Sequence, residues 1–433
     1  MRSFLLLSII VGLGLTAIIR PKLGVFSIVW FSLMRPDVWA WSTTQYPYAS
    51  ILELGTLIGS MRVLSQAPAL LHNSVCRLLL ILQVPLALSV LLAIHPTLCY
   101  EPYRWYVGCV VSALLIPLHI RTESDFRRLL ALAALSIGYL GARYGAFGLI
   151  HGGVRFGGGY GASLSDNNTL ALALAMGVPL GWYAKDLIRS VPVRVSLLVS
   201  VFLTIAAVIF TYSRGAAISL AAVFLVAIIH SRHRLLLIAG LAILTWPSVY
   251  LVKDSYFDRL GTLKDTKEDI SAQQRVENAL VARRMWEDYP IIGVGFGTDN
   301  QRLLWFRYAN TEGVSGRYPL VIHNTYLQML VDSGTFALLA YLTLLVGTIF
   351  LMARSSRRLK RAGSPLYQCP LAIEAALVAF AVGSTFLTRI TFDFTYILLM
   401  LGAAWLAVEP YHLASLREQR EAEEHMEFAE AGA

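Results

Sequence analysis

The stretch that decides the fold is NTYLQMLVDSGTFALLAYLTLLVGTIFLM over residues 324–352, followed by ARSSRRLKR over 353–361. An α-helix needs about 20 mostly apolar residues to cross the hydrocarbon of a bilayer, and the first part supplies them. The second part holds five positive charges and no acid, the mark of a loop kept on the cytoplasmic side. One apolar helix and one basic stop therefore fix both a membrane span and its direction.

The same pattern recurs outward from it. Apolar runs predict spans over 3–19, 23–40, 50–66, 77–95, 104–120, 128–150, 168–184, 194–212, 215–230, 234–252, 324–352, 371–388 and 392–410. Residues 3–19 read as a retained helix, because no small-residue cleavage site follows them before Arg20-Pro21. Arg20 and Lys22 lie at a cytoplasmic turn or beside a partly re-entrant segment, so about 12 true spans are expected. Arg232 with Arg234, and Arg121 with Arg127 and Arg128, fall on the same side as the basic stop. The opposite loops, 151–167, 253–322 and the turns at Ser213-Arg214 and Arg389, then face outward. The expected fold class is an all-α polytopic membrane protein. Its parts are an N-terminal bundle over 1–252, an outer loop over 253–322, C-terminal helices over 323–410 and a cytoplasmic tail over 411–433.

Composition agrees. Of 433 residues, 56% are hydrophobic and 15% charged, against about 25% charged in soluble domains. The net charge of +9 could suggest nucleic acid, but the basic residues cluster in gaps between apolar runs, as topology signals do. Cys76, Cys99, Cys109 and Cys369 are scattered, with neither metal-ligand spacing nor any sign of a disulfide. The outer loop differs from the basic ones: its ten Lys/Arg balance ten Asp/Glu. A long charge-balanced segment between spans is usually functional or a small domain. No internal repeat is visible, whereas paired transporter halves show related segments.

Charged groups near spans are informative, since a mid-bilayer Arg costs about 2.5–3.5 kcal/mol and so faces a partner or a wet cavity. Arg143, Arg155, Arg214 and Arg275 fall on the outward side, and guanidinium is the preferred fork for phosphate oxygens. The plainer alternative for each is snorkelling to the interface or pairing with a nearby acid. Spacing separates some of them. On a helix Arg283 has Glu287 and Arg284 has Asp288 at i+4, whereas Arg275 has Ser271 at i−4 and Ala279 at i+4. Arg275 thus keeps its charge for a ligand, and Ala279, Ala282 and Trp286 share its face, which is expected along the membrane surface. His323 opens the helix 324–352 and is suited to general-base work, with an interfacial or capping role as the bland alternative. His151 carries less weight. Gly293-Val-Gly295-Phe-Gly297 lacks the strand a dinucleotide fingerprint requires. No Asp-x-Asp motif or metal-spaced cluster occurs, so neither cofactor nor metal is expected. Arg389 and Asp393, four apart near a turn, read as a structural ion pair.

Four motifs in order resemble those of the O-antigen ligase and polymerase superfamily, the WaaL and Wzy types. Ser271-Ala-Gln-Gln-Arg275 precedes Met285-Trp286-Glu-Asp288-Tyr-Pro290-Ile-Ile-Gly293-Val-Gly295, with the arginine fifteen residues before the proline as in that family. His323-Asn324-Thr325 looks like its His-Asn motif, and Ser213-Arg214-Gly215 like its Ser-Arg-Gly turn. Arg155-Phe-Gly-Gly-Gly with Asn167-Asn168 is similar to its arginine, glycine and asparagine pattern, although the extra glycines around 157–161 depart from it. The likeness covers roughly 140–410. It implies a GT-C-like fold of about 12 helices whose large periplasmic loop contains amphipathic helices. It further implies an inner-membrane enzyme, free of metal, that moves a glycan from undecaprenyl diphosphate to a sugar hydroxyl of lipid A–core. Under that resemblance Arg143, Arg155, Arg214 and Arg275 hold the diphosphate and His323 is the base. A Wzy-type polymerase and a protein O-oligosaccharyltransferase share these motifs. A lipid-linked glycan flippase would also use outward arginines, but with charges through the bundle and repeated halves.

Overall fold

The computed structural model describes residues 2–39, 46–151, 166–231, 234–235, 238, 267–309 and 321–431, the side chains of Trp39, 267–273 and 427–431 excepted. Its helices in chain order are α1 Arg2–Ile19, α2 Pro21–Met34, α3 Pro36–Trp39, α4 Tyr48–Ser60, α5 Ser74–Leu91, α6 Tyr100–His119, α7 Glu123–His151 and α8 Asn167–Ala184. Then follow α9 Val191–Phe210, α10 Arg214–His230, α11 Lys267–Asp288, α12 Thr298–Tyr308, α13 Thr325–Arg361, α14 Gln368–Gly383 and α15 Asp393–Ala431. Among the described residues there is no strand. Also among the described residues, seven helices are long and apolar enough to cross a membrane, and α2 and α10 are shorter apolar helices. Phe4 at 74% exposure and Phe350 at 61% put apolar rings on the outside of the bundle, as a lipid-facing surface requires.

The protein is an all-α membrane protein, and the apolar runs account for its helices. Twelve of the thirteen predicted segments coincide with a helix, while 234–252 lies almost wholly outside the described residues. Two boundaries move. The run predicted over 50–66 stops being α-helical at Ser60 and continues as a 3₁₀ helix over Met61–His72, which contains Pro68. The predicted tail over 411–433 is helical to Ala431, continuous with the preceding span through Pro410. Beyond that proline the helix is tied sideways: His412 Nδ1 lies 3.0 Å from Glu123 Oε2 and its Nε2 2.8 Å from the Ser364 hydroxyl.

Helices α8 and α14 form the centre. Thr169 through Gly181 of α8 is buried without a break, enclosed by α7, α9, α10 and α14. Small residues make the enclosure tight: a Cβ added to Gly145 of α7 would overlap the backbone carbonyl of Leu203 in α9.

The segment after α11 is built into this bundle. Helix α13 breaks at Gly334, whose φ is +79°. The chain over 290–295 lies along the break, so Val294 N donates to Val331 O at 2.9 Å and Gly295 N to Asp332 O at 3.0 Å. Thr335 N returns a bond to Pro290 O at 2.8 Å. Carbonyls freed by the kink are thereby satisfied, as buried backbone groups must be. This close approach explains the glycine run: at Gly293, with φ +77°, a Cβ would sit 2.5 Å from the backbone of Asp332 and Ser333. Further bonds join the segment to the α5–α6 turn, with His95 N donating to Asn300 Oδ1 at 2.9 Å. Val281, Met285, Val294, Trp305, Tyr308 and Ile322 close a small second core. Residues 267–309 therefore sit on the bundle as a two-helix cap.

Candidate functional site

Three helices begin at the same end of the bundle, each with a polar cap. Asp166 accepts from the N–H groups of Asn168 and Thr169 at the start of α8, at 2.9 and 3.0 Å. Ser213 caps α10, and Asn324 caps α13 by accepting from Tyr326 N and Leu327 N at 2.9 and 3.0 Å. Such ends carry partial positive charge and spare N–H donors, which favours anions nearby.

Tertiary hydrogen bonds stitch these ends together. The Asn167 amide donates to Thr211 O at 2.8 Å, joining α8 to the turn that carries Arg214. Gly215 faces Phe386 closely enough that a Cβ would lie 3.2 Å from it. The Thr325 hydroxyl donates to Leu387 O at 2.6 Å and accepts from Arg389 N at 3.0 Å, fixing the 387–392 turn beside the start of α13. Arg389 then reaches Asp166 in an ion pair. The predicted pairing of Arg389 with Asp393 is thus corrected. Arg389 stands in a turn before α15 begins, where helical i,i+4 spacing has no force.

His323 stands at the centre of this arrangement. Its φ of +54° is left-handed, a conformation that costs of order 1–3 kcal/mol in a non-glycine residue and is held only where the surroundings determine it. Tyr212, in the turn before Arg214, has φ +52°. Partial desolvation holds the His323 imidazole below its ordinary pKa although the residue is exposed at its surface, and the Arg275 guanidinium depresses it further. Asp166 acts in the opposite sense and Arg389 in the same sense as Arg275. The imidazole is consequently neutral at physiological pH and able to accept a proton. The Asp166 carboxyl, raised by burial, is pulled below its ordinary value by Thr169, Arg389 and two backbone N–H groups, so it stays ionised beside the histidine.

The predicted arginines separate. Arg275 is exposed on α11, has no acidic partner among the described residues and acts electrostatically on His323. Arg214 is exposed at the adjoining turn, one residue after the Ser213 cap. Arg143 is exposed two turns before the C-terminus of α7 and is not among the charges acting on His323. Arg155 lies outside the described residues. His151 stacks on Phe147 with ring centroids 4.1 Å apart and bonds its carbonyl, which makes it a local cap.

Helix α11 confirms half of its predicted pairing. Arg283 bonds Glu287 at 2.8 Å. Arg284 does not pair with Asp288: it donates to Tyr308 O at 3.0 Å, while the Tyr308 hydroxyl donates to Asp288 at 2.6 Å. The face bearing Ala282 and Trp286 turns inward rather than along a membrane surface. Ala282 is buried, and Trp286 Nε1 donates to the Thr335 hydroxyl at 2.9 Å.

Two residues of the site, Asp166 and Arg389, were not read from the sequence as site residues. Asp166 had a local signal, an Asp three positions before Thr169 at the start of an apolar run. Arg389 had a topological one, since its turn shares a side with Arg214. Together the groups offer a neutral proton acceptor, a guanidinium unpaired among the described residues, and the starts of α10 and α13, whose caps carry no charge; the start of α8 is already taken by the Asp166 carboxylate.

Residues 199–342 match the family model described as O-antigen ligase. That segment holds Arg214, Arg275 and His323. Residues 1–178, with Arg143 and Asp166, match a family of unknown function. No curated protein matches the chain.

Proposed function

We propose that this chain, a member of the O-antigen ligase family through residues 199–342, transfers O-antigen polysaccharide from undecaprenyl diphosphate to a sugar hydroxyl of lipid A–core. The reaction takes place at the periplasmic face of the bacterial inner membrane, in a bundle of about 12 spans. The observation that carries this reading is His323: a strained, neutral imidazole beside the unpaired Arg275, within the family's segment.

In the reaction, His323 takes the proton of the acceptor hydroxyl as its oxygen attacks the anomeric carbon. The bond from that carbon to the diphosphate oxygen breaks, and undecaprenyl diphosphate leaves with the electron pair. Displacement in one step inverts the anomeric configuration. Arg275 and Arg214 hold the diphosphate, with Arg143 and Arg155 as further predicted contacts, and the capped starts of α10 and α13 add oriented N–H dipoles. Preorganised donors of this kind stabilise developing negative charge strongly where water is excluded. The cations take the role that a metal ion has in other transferases, so no metal is required.

The test is incubation of purified protein with lipid-linked glycan and several acceptors, followed by product analysis. Glycan joined to lipid A–core, with activity retained in chelator, supports the reading. Growth of the donor glycan alone would identify a polymerase instead, and a product found only on protein would identify an oligosaccharyltransferase. Vectorial movement without bond formation would place the chain among transporters.

A further inference from the structure

The far end of α13 holds a second concentration of positive charge, on the order of 50 Å along the helix from His323. A cavity of about 620 Å³ opens there, lined by Ile229, His230, Ser231, Arg234, Arg357 and Lys360. Arg234 and Arg357 are exposed, and neither is in an ion pair among the described residues, although Arg357 acts electrostatically on Glu374. Their neighbour Arg358, by contrast, is turned away into an ion pair with Glu409 at 2.7 Å. Lys360 Nζ is fixed over the cavity by donating to His230 O at 2.6 Å, with N–H groups to spare. The His230 ring is 7% exposed, and its Nε2 has no hydrogen-bond partner, with Glu374 Oε2 behind it at 3.6 Å. The acid does not line the cavity, so three cations face it, of which Lys360 is fixed.

One wall is apolar. Ile218, Leu225 and Ile229 are 47%, 57% and 55% exposed along α10, at spacings of seven and four. That stripe runs down the helix surface from the mouth of the cavity. We propose that this cavity binds the phosphate of an anionic phospholipid headgroup, with an acyl chain lying along the Ile218–Leu225–Ile229 stripe. Guanidinium and ammonium groups suit phosphate oxygens, and basic pockets between helices at the cytoplasmic interface suit acidic lipid headgroups. The stripe favours a lipid over a free anion, which has no use for it.

The test uses the full-length protein, delipidated in detergent, with its Tm read against added dioleoylphosphatidylglycerol, dioleoylphosphatidylcholine or inorganic phosphate. Phosphatidylglycerol is expected to raise Tm saturably by several degrees, and the other two to leave it unchanged. In the double variant R234Q/R357Q the half-maximal concentration should rise by about tenfold or more. The double variant R354Q/R361Q, which removes equal charge from the same helix end outside the cavity, should behave as the native protein. Equal weakening in both double variants would reduce the effect to general surface charge and overturn the site. A native Tm indifferent to phosphatidylglycerol would overturn it too. A saturable shift from inorganic phosphate, lost in R234Q/R357Q, would sink the lipid as the ligand. Unliganded Tm values of the variants close to native show that the comparison is made between folded proteins.

Discussion

At the His323 end of α13, charges of both signs are interleaved and fixed: Arg389 is tied to Asp166, and its backbone to Thr325. At the Arg357 end, Arg234, Arg357 and Lys360 share one sign around an open cavity, and only Lys360 is held by a hydrogen bond across helices. The first arrangement sets the protonation state of one imidazole. The second raises a field without fixing any single partner. Substitutions should therefore act sharply at the first end and softly at the second.

The largest expected effect is at His323. His323→Ala should lower glycan transfer about 100- to 10,000-fold while leaving Tm unchanged, as loss of a general base does. Normal ladders of capped lipopolysaccharide from that variant would break the comparison at once. Arg275→Ala should cost about tenfold to a hundredfold in transfer, the value of a lost charge-assisted hydrogen bond of about 1.5–3 kcal/mol. Arg283→Ala, which loses only its exposed pair with Glu287, should stay within about twofold. Equal defects in both would make α11 a structural element with no ligand contact.

Next comes the backbone that carries the histidine. Gly293→Ala places a Cβ against Asp332 and Ser333 at a left-handed φ, and should cost about 2 kcal/mol of stability, read as a lower Tm. A smaller, opposed pair of shifts sharpens the electrostatic half. The acid limb of kcat/KM should lie below about pH 6.5, because the folded imidazole is depressed. Asp166→Asn removes the charge that raises its pKa, so the limb should move further to acid. Arg275→Gln removes a charge that lowers it, so the limb should move toward neutral. Shifts in the same direction would show that His323 is not the titrating base. The smallest effect belongs to the far end: Arg354→Gln, at an exposed residue of α13, should change stability by under about 0.5 kcal/mol.

Sequence legibility followed the range of the interactions. Apolar runs of about 20 residues gave the described helices because hydrophobic length is a local property; within the predicted 50–66 span the α-helix ends at Ser60 and a 3₁₀ helix containing Pro68 follows. Arg283–Glu287 was readable for the same reason. Arg284–Asp288 was not, because Tyr308, twenty residues beyond Asp288, takes both partners. His323 and Arg275 could be singled out by motif and by missing local acids. The Asp166–Arg389 pair spans 223 residues, and no spacing rule reaches that far. The break in α13 was likewise hidden, since Gly334 reads as an ordinary helical glycine until residues 290–295 are laid beside it.

Removing residues 290–295 from α13 would strand the carbonyls of Val331 and Asp332, both buried, at about 1–3 kcal/mol apiece. The two-helix cap therefore works as a keystone wedged into the span and does not lift as a flap. His323 is exposed with the cap in place, so its surroundings are assembled before anything binds.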